Sequence, residues 1–332
     1  MAERFTAFRI SEAEETVTAG FVECSLDDLD PGDVVVRVAY SDVNYKDALA
    51  ATGKGRILRR KSCIGGIDLA GTVVTSANPS LSPGDEVCAA GFGLGVSHDG
   101  GYSQFARVPG EWLTKLPSTL RTWESMALGT AGLTVALAIT RMEANGLEPA
   151  NGPVIVSGAT GGVGSIAVAA LAGLGYHVVA LTGKADQADW LRQLGAKEVL
   201  LRSALDLTPS RPLGKTTWAG AIDTLGGDVL AWMASTMKIR GVIAAVGLAA
   251  SPTLHTTVLP FILRGVSLLG ISSSDGPTQE MRAAAWRRLA TDLKPPLLQT
   301  MSRTIPFSDL PRVFDDFIAG AVSRRIVVDL SR

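Results

Sequence analysis

From Pro149 to Gly183 the chain carries no formal charge, and within that stretch lies Val154-Ile155-Val156-Ser157-Gly158-Ala159-Thr160-Gly161-Gly162-Val163-Gly164-Ser165. Nothing else in the sequence constrains the fold as strongly. A hydropathy window would mark the stretch as a membrane span. Its grain argues otherwise, because Gly158, Gly161, Gly162 and Gly164 interrupt it early, and Gly173 and Gly175 interrupt it again. Val154-Ile155-Val156 is a short β-branched run. Ile166 to Leu174 is rich in Ala and Leu and suits a helix. Val178-Val179-Ala180-Leu181 is strand-like again. Strand, glycine turn, helix, turn and strand make a βαβ unit, and such a unit buried on both faces needs no charge.

The glycines have a chemical use in that setting. They let backbone approach a pyrophosphate, whose charge then rests on free N–H groups at the helix N-terminus. No Lys-Ser or Lys-Thr follows Gly164, so this is not a Walker loop. A tight packing turn is the bland reading, but packing alone rarely needs so many glycines. The end of the second strand reads Ala180-Leu181-Thr182-Gly183-Lys184. An NAD site usually places an acid there for the ribose 2′-hydroxyl. A hydroxyl and a cation suit the 2′-phosphate of NADP instead, and Arg202 at the end of the next strand is a second cation.

The rest of the chain supports a two-layered plan. At ~150 residues per domain, 332 residues suggest two domains, and 46% hydrophobic residues suffice for a substantial core. Lys and Arg number 31 against 32 for Asp and Glu, a net charge of −1. That balance gives no electrostatic case for nucleic acid or an anionic membrane surface. Cys24, Cys63 and Cys88 are widely spread, which argues against a disulfide framework or a cysteine zinc site and fits a reducing cytoplasm. The N-terminus shows no apolar run of the signal-peptide kind.

Up to about residue 124 the texture is β-rich, with strands expected at Val34–Val38, Gly71–Val74 and Asp85–Cys88 between turns such as Ser82-Pro83-Gly84-Asp85. Helices are expected at Thr122–Leu128 and Thr130–Asn145. Further strands follow at Glu198–Leu201, Ala219–Asp223, Val242–Val246 and Val266–Ile271, and helices at Asp186–Leu194, Asp228–Met237 and Pro277–Asp292. Strands alternating with helices mean a parallel sheet covered on both faces. The tail strand Arg324–Asp329 lies beyond that alternation and is assigned to the first domain. The expected division is residues 1–124 with 300–332, and residues 125–299.

These pieces resemble the medium-chain dehydrogenase/reductase superfamily, a GroES-like β-rich domain joined to a Rossmann domain. Within it, Asn44-Tyr45-Lys46-Asp47, Gly66-Ile67-Asp68-Leu69-Ala70-Gly71, Gly129-Thr130-Ala131-Gly132, Trp218-Ala219-Gly220-Ala221-Ile222-Asp223-Thr224 and Pro260-Phe261-Ile262-Leu263-Arg264-Gly265 resemble the acryloyl-CoA reductase branch, which is quinone oxidoreductase-like. The resemblance implies no zinc: Ile67 stands where zinc-dependent members carry a histidine, and no cysteine lies near Asn44–Asp47. It implies NADPH-dependent hydride transfer to the β-carbon of a short-chain enoyl-CoA such as acryloyl-CoA, the charge passing onto the thioester oxygen. Two other readings stay open, an NADPH-dependent quinone or enone reductase and an NADPH-binding protein without catalysis.

The resemblance puts Tyr45 at the chemistry, orienting the nicotinamide or relaying a proton, with Lys46 in electrostatic support. Packing is the alternative for Tyr45. It assigns Thr160, Gly161, Gly162 and Val163 to the pyrophosphate and Thr182, Gly183, Lys184 and Arg202 to the 2′-phosphate end. Leu248, Ile262, Ser273 and Arg324 match positions nearer the nicotinamide or ribose, although Leu248 and Ile262 also suit a core. Asn44 and Asp47 are scaffold or catalyst, with Asn44 also a candidate substrate contact, Asp68 is salt bridge or catalyst, and His98 is a contact with substrate or cofactor, or a surface loop. His177 reads as structural. Among Lys54–Lys61, the cations Arg56 and Arg59 are candidates for CoA phosphates, against the commoner reading of a solvated loop. Cys63-Ile64-Gly65, Asp99 and Ile271-Ser272-Ser273-Ser274-Asp275 depart from the branch pattern and leave acyl specificity open. A homodimer through the edge strand Val266–Ile271 is expected.

Overall fold

The computed structural model describes residues 4–13, 16–207 and 212–331, which form two compact units. The first comprises Met1–Leu133, Ser273–Arg287 and Leu298–Arg332. Its larger sheet runs in spatial order Ser302–Pro306, Arg325–Asp329, Val34–Val43, Asp68–Ser76, Glu86–Ala90 and Thr114–Lys115, with Phe105–Val108 pairing on Val34–Val43. A three-stranded antiparallel sheet is built from Thr16–Cys24, Phe5–Ala13 and Ser62–Ile64. Alternation drives the central strand: Val34, Val36 and Val38 are buried while Arg37 points out and lies over the Phe105 ring. Phe8 and Phe314 meet in the core, with centroids 5.7 Å apart.

The tail strand Arg325–Asp329 pairs antiparallel with Val34–Val43. Asp85 is not in a strand, because its carboxylate accepts the Ser82 N–H at 3.0 Å and pairs with Lys115 at 2.6 Å, shaping a turn. The strand begins at Glu86.

The second unit comprises Thr134–Ser272 and Arg288–Leu297. Its six parallel strands lie in the order Glu198–Leu201, Val178–Thr182, Val154–Val156, Trp218–Asp223, Met237–Ala245 and Ser267–Gly270. Numbered along the chain this is 3-2-1-4-5-6, the Rossmann order, with the reversal of winding beside Val154–Val156. Val154, Ile155 and Val156 are wholly buried, and helix Gly162–Gly173 buries most of its length, so the uncharged stretch is a core βαβ unit. One helix among the described residues, Thr122–Ala144, is long and apolar enough to cross a membrane, and 83% of its most apolar window is buried inside the protein.

These units depart from the expected division in two places. The first unit continues past residue 124 to Leu133, because Gly129 interrupts helix Thr122–Ala144 with φ 52° and ψ −155° and lies against buried groups of that unit. Helix Gln279–Leu289 does not simply continue the sheet domain. Its first part returns to the first unit, where Arg282 binds the Ala90 carbonyl. The expected helix Asp186–Leu194 splits into a 3-10 turn, Ala185–Gln187, and a short helix, Ala188–Gln193.

Candidate active site

In the second unit, a groove of about 270 Å³ opens at the glycine loop and is lined by Gly158, Thr160, Leu181, Thr182, Gly183, Lys184, Arg202 and Leu225. Glycine is required at two points. Gly158 has φ 56°, and a Cβ at Gly164 would overlap the Gly158 carbonyl, so only glycine lets this helix pack so close to its loop. No side chain caps helix Gly162–Gly173 at Gly161, which leaves first-turn N–H groups for an anion. Thr182 is buried, and its hydroxyl accepts the Lys184 N–H at 3.0 Å, shaping the loop that carries the lysine. The Arg202 guanidinium lies 3.8 Å from where a Gly183 Cβ would stand. Among the described residues, two cations and no acid line this groove, a donor set that fits a phosphorylated dinucleotide.

A further residue holds the loop and was read only as part of a longer string. Asp223, wholly buried at the end of its strand, accepts the Ser157 hydroxyl at 2.6 Å and the Gly226 N–H at 2.7 Å. Ser157 in turn accepts the Thr224 N–H at 2.9 Å. Burial raises the Asp223 carboxyl above its ordinary value, while these hydrogen bonds oppose the rise. Leu248 and Ile262 are 64% and 68% exposed, so they are not core residues. His177 pairs with Glu198 at 2.9 Å on the surface.

In the first unit, Tyr45 opens helix Tyr45–Thr52. The Asp47 carboxylate accepts the Asn44 N–H at 2.8 Å in the manner of a capping box, and Gly53 stops the helix in a left-handed conformation. Tyr45 is 55% exposed, and Lys46 beside it is exposed. Beneath them lies a buried polar cluster. Asn44 Nδ2 donates to Asp42 Oδ1 at 2.8 Å and Asp68 Oδ2 at 3.0 Å, and Asn44 Oδ1 accepts from Arg325 at 3.2 Å. Arg325 also donates to Asp42 and to the Ala127 carbonyl. Asp68 accepts the Thr130 N–H at 2.7 Å and its hydroxyl at 2.5 Å. A Cβ at Gly129 would overlap the Asp42 carboxylate, so the helix break and the cluster require each other.

These contacts decide several open assignments. Both Asn44 amide hydrogens and its carbonyl oxygen are engaged by the cluster. Asp68 is a hydrogen-bond acceptor, and the buried salt bridge falls to Asp42 and Arg325. Arg325 was missed because Arg324, its exposed neighbour, drew the cofactor assignment. Burial pushes the Asp42 carboxyl well above its ordinary range, helped by the charge of Asp68 and opposed by Arg325. Asp47 is likewise pushed up by burial, to about 7, although the Asn44 and Ile67 N–H groups favour its charged form.

Above the cluster is a small pocket of about 80 Å³. Lys46, Arg59, Ile67, Leu94, Val96, Thr130 and two backbone walls, Gly91–Gly93 and Ser273–Asp275, form it. Ser273 therefore lies in the first unit, at this pocket. The basic run divides: Arg59 faces the pocket, Arg60 pairs with Asp30, and Arg56 is exposed outside the lining. His98 is not a free substrate contact. Its ring nitrogens face the carbonyls of Asp99 and Pro31 at 2.9 and 3.1 Å, and its ring meets Trp112 edge-on. Among the described residues, no group of three or more His, Cys, Asp or Glu is arranged to hold a metal ion.

A β-rich unit with an exposed tyrosine over a buried polar cluster and a Rossmann unit with an acid-free groove define a nucleotide-dependent oxidoreductase architecture. The alcohol dehydrogenase GroES-like domain family matches residues 30–118, and the zinc-binding dehydrogenase family matches residues 162–291. The chain belongs to the medium-chain dehydrogenase/reductase superfamily. Among its relatives, acrylyl-CoA reductase AcuI of Ruegeria pomeroyi is 45% identical over 98% of this chain and 99% of its own. The crystal structure of Escherichia coli K-12 YhdH with bound NADPH is 43% identical, with a TM-score of 0.93 over 98% of this chain and 99% of that one. Bacillus subtilis yhfP, solved with NAD bound, is 44% identical, with a TM-score of 0.96 over 99% of this chain and all of that one (100%). YhfP carries the name of a quinone oxidoreductase.

Proposed function

We propose that this protein reduces the C=C bond of acryloyl-CoA with NADPH: NADPH + H⁺ + acryloyl-CoA → propanoyl-CoA + NADP⁺. The observation that carries the cofactor is the groove in which, among the described residues, the charged lining residues are Lys184 and Arg202. Full-length likeness to an acrylyl-CoA reductase supports the substrate. In this reading the N–H groups from Thr160 to Val163 hold the pyrophosphate, and Thr182, Gly183, Lys184 and Arg202 hold the 2′-phosphate end. Leu248, Ile262 and Arg324, all exposed, are available to the nicotinamide and ribose, and Ser273 to the acceptor pocket.

NADPH supplies the hydride that adds to the β-carbon. The protein must then stabilise negative charge on the thioester oxygen and deliver a proton to the α-carbon. Lys46 and the N-terminus of its helix provide positive potential for the oxygen. Tyr45 presents an exposed phenol for the proton. Arg59 at the pocket offers a cation to the CoA part, a role Arg56 supports from the same loop. The pocket of about 80 Å³ suits a short acyl chain.

The name borne by YhfP favours one competing reading, a quinone or enone reductase. Following NADPH and NADH oxidation with acryloyl-CoA, crotonoyl-CoA and a benzoquinone under identical conditions separates them. Oxidation with acryloyl-CoA supports the thioester reading, and oxidation with the quinone alone overturns it. Equal rates with NADH would overturn the cofactor choice.

A homodimer in the cytoplasm completes the proposal. Among the described residues, strand Ser267–Gly270 pairs on one side only, with Leu268 partly exposed and Ile239, Leu263 and Val258 exposed in the same unit, an apolar edge suited to a second copy. Light scattering on Leu268→Lys against wild type tests it: an unchanged mass removes this strand from the interface. Cys24, Cys63 and Cys88 are free and buried, as suits a reducing compartment, and cell fractionation tests the location.

A further inference from the structure

The two backbone walls of the acceptor pocket, Gly91–Gly93 and Ser273–Asp275, belong to distant parts of the chain and share one clamp. Arg282, on helix Gln279–Leu289, is 2% exposed and does not line the pocket itself. Its guanidinium donates to the Ala90 carbonyl at 2.7 Å, just before the first wall. It donates to the Ser273 carbonyl at 3.0 Å and to the Ser274 carbonyl, both in the second wall. It also lies over the Phe92 ring, 3.8 Å from the centroid.

Phe92 needs such support. It is a non-glycine residue at φ 58°, and it is stacked on Trp112 with ring planes 4° apart. The walls are already close, since a Cβ at Gly91 would stand 2.9 Å from Ser274 Cα. A buried arginine is costly unless its charge is used. Here three carbonyls and one aromatic face use it, and they are the groups that set the distance between the walls.

We propose that Arg282 is a positioning residue that sets the width of the acceptor pocket and thereby limits the acyl chain that fits. This rests on the pocket being the acyl seat. A planar fork that stacks while donating to three carbonyls is an arginine property. Lysine keeps the charge but has neither the plane nor the fixed spread of donors.

Arg282→Lys, and separately Phe92→Leu, are compared with wild type. Phe92→Leu removes the stack and leaves all three carbonyl bonds. For each, kcat and KM are measured with acryloyl-CoA, crotonoyl-CoA and 2-hexenoyl-CoA, and NADPH affinity by fluorescence titration. The preference for acryloyl-CoA over the longer thioesters should fall about tenfold in Arg282→Lys, the size of a methylene discrimination, chiefly through KM. NADPH affinity should be unchanged. Phe92→Leu should shift the preference the same way by less. A folded Arg282→Lys with wild-type preference overturns the proposal. If that variant does not fold, unchanged preference in Phe92→Leu overturns it. If wild-type enzyme reduces no thioester, the functional reading fails. The width role is then read from benzoquinone against a naphthoquinone, and an unchanged ratio in the variants overturns it.

Discussion

The glycine-loop groove and the tyrosine face are built by opposite means. The groove is made largely of backbone: glycines without Cβ atoms, an uncapped helix start, and the tip of strand Val178–Thr182 that leads to Lys184. The tyrosine face stands on side chains, with buried Asp42, Asp47, Asp68 and Arg325 and half-buried Asn44 and Thr130 in one hydrogen-bonded cluster below an exposed surface. The groove leans on one buried side chain, Asp223, through Ser157 and the Gly226 N–H, and otherwise on backbone. A buried polar network is unforgiving, because each partner removed strands a desolvated group. Variants on the two sides should therefore differ in kind as well as in size.

Arg325→Met should give the largest effect. It leaves Asp42 buried without its cation, and breaking such a pair costs about 3 kcal/mol or more. Urea unfolding would measure this, and a loss below about 1 kcal/mol would mean that the cluster reorganises. Tyr45→Phe removes one exposed hydroxyl and should leave stability alone. Loss of a proton relay predicts turnover of acryloyl-CoA about 100-fold lower, and unchanged steady-state kinetics would reduce Tyr45 to a ring that only orients. Lys184→Ala should weaken NADPH about tenfold or more through a lost charged hydrogen bond, and NADH hardly at all. Equal losses in paired titrations would undo the 2′-phosphate assignment.

The last comparison concerns pH. The Asp47 carboxyl is raised from an ordinary 3.8 to about 7, so between those values the folded chain holds its proton more tightly than the unfolded chain does. Its contribution to stability therefore falls as pH rises through that window. Asp47→Asn should flatten that part of the stability–pH curve, and an unaltered slope in denaturant melts at stepped pH would assign the titration elsewhere.

The same contrast explains what could be read early. Val154–Ser165 is a contiguous run whose spacing already implies a strand, a turn and a helix, and the structure forms Val154–Val156 and Gly162–Gly173 there. The break between two helices at Gly129 was legible because a glycine interrupts two apolar runs. Its purpose was not, because the carboxylate it faces belongs to Asp42. Arg324 and Arg325 are indistinguishable as letters. Arg324 lies just before the tail strand and is exposed, whereas Arg325 opens that strand and is buried in the cluster. His98 looked available because its sequence neighbours say nothing of the Pro31 carbonyl that its ring meets.

What the sequence by itself determined is the local chemistry: a parallel βαβ scaffold, glycines where backbone must approach an anion, and a cation where an acid would select NAD. These are encoded within a turn or a strand, where period and residue type act directly on backbone geometry. Only the tertiary structure decided which charges are buried and paired. Arg325 reaches Asp42 across 283 positions and Arg282 reaches Ala90 across 192. A desolvated charge must find its partner wherever the folded chain brings one, and sequence spacing carries no record of that meeting.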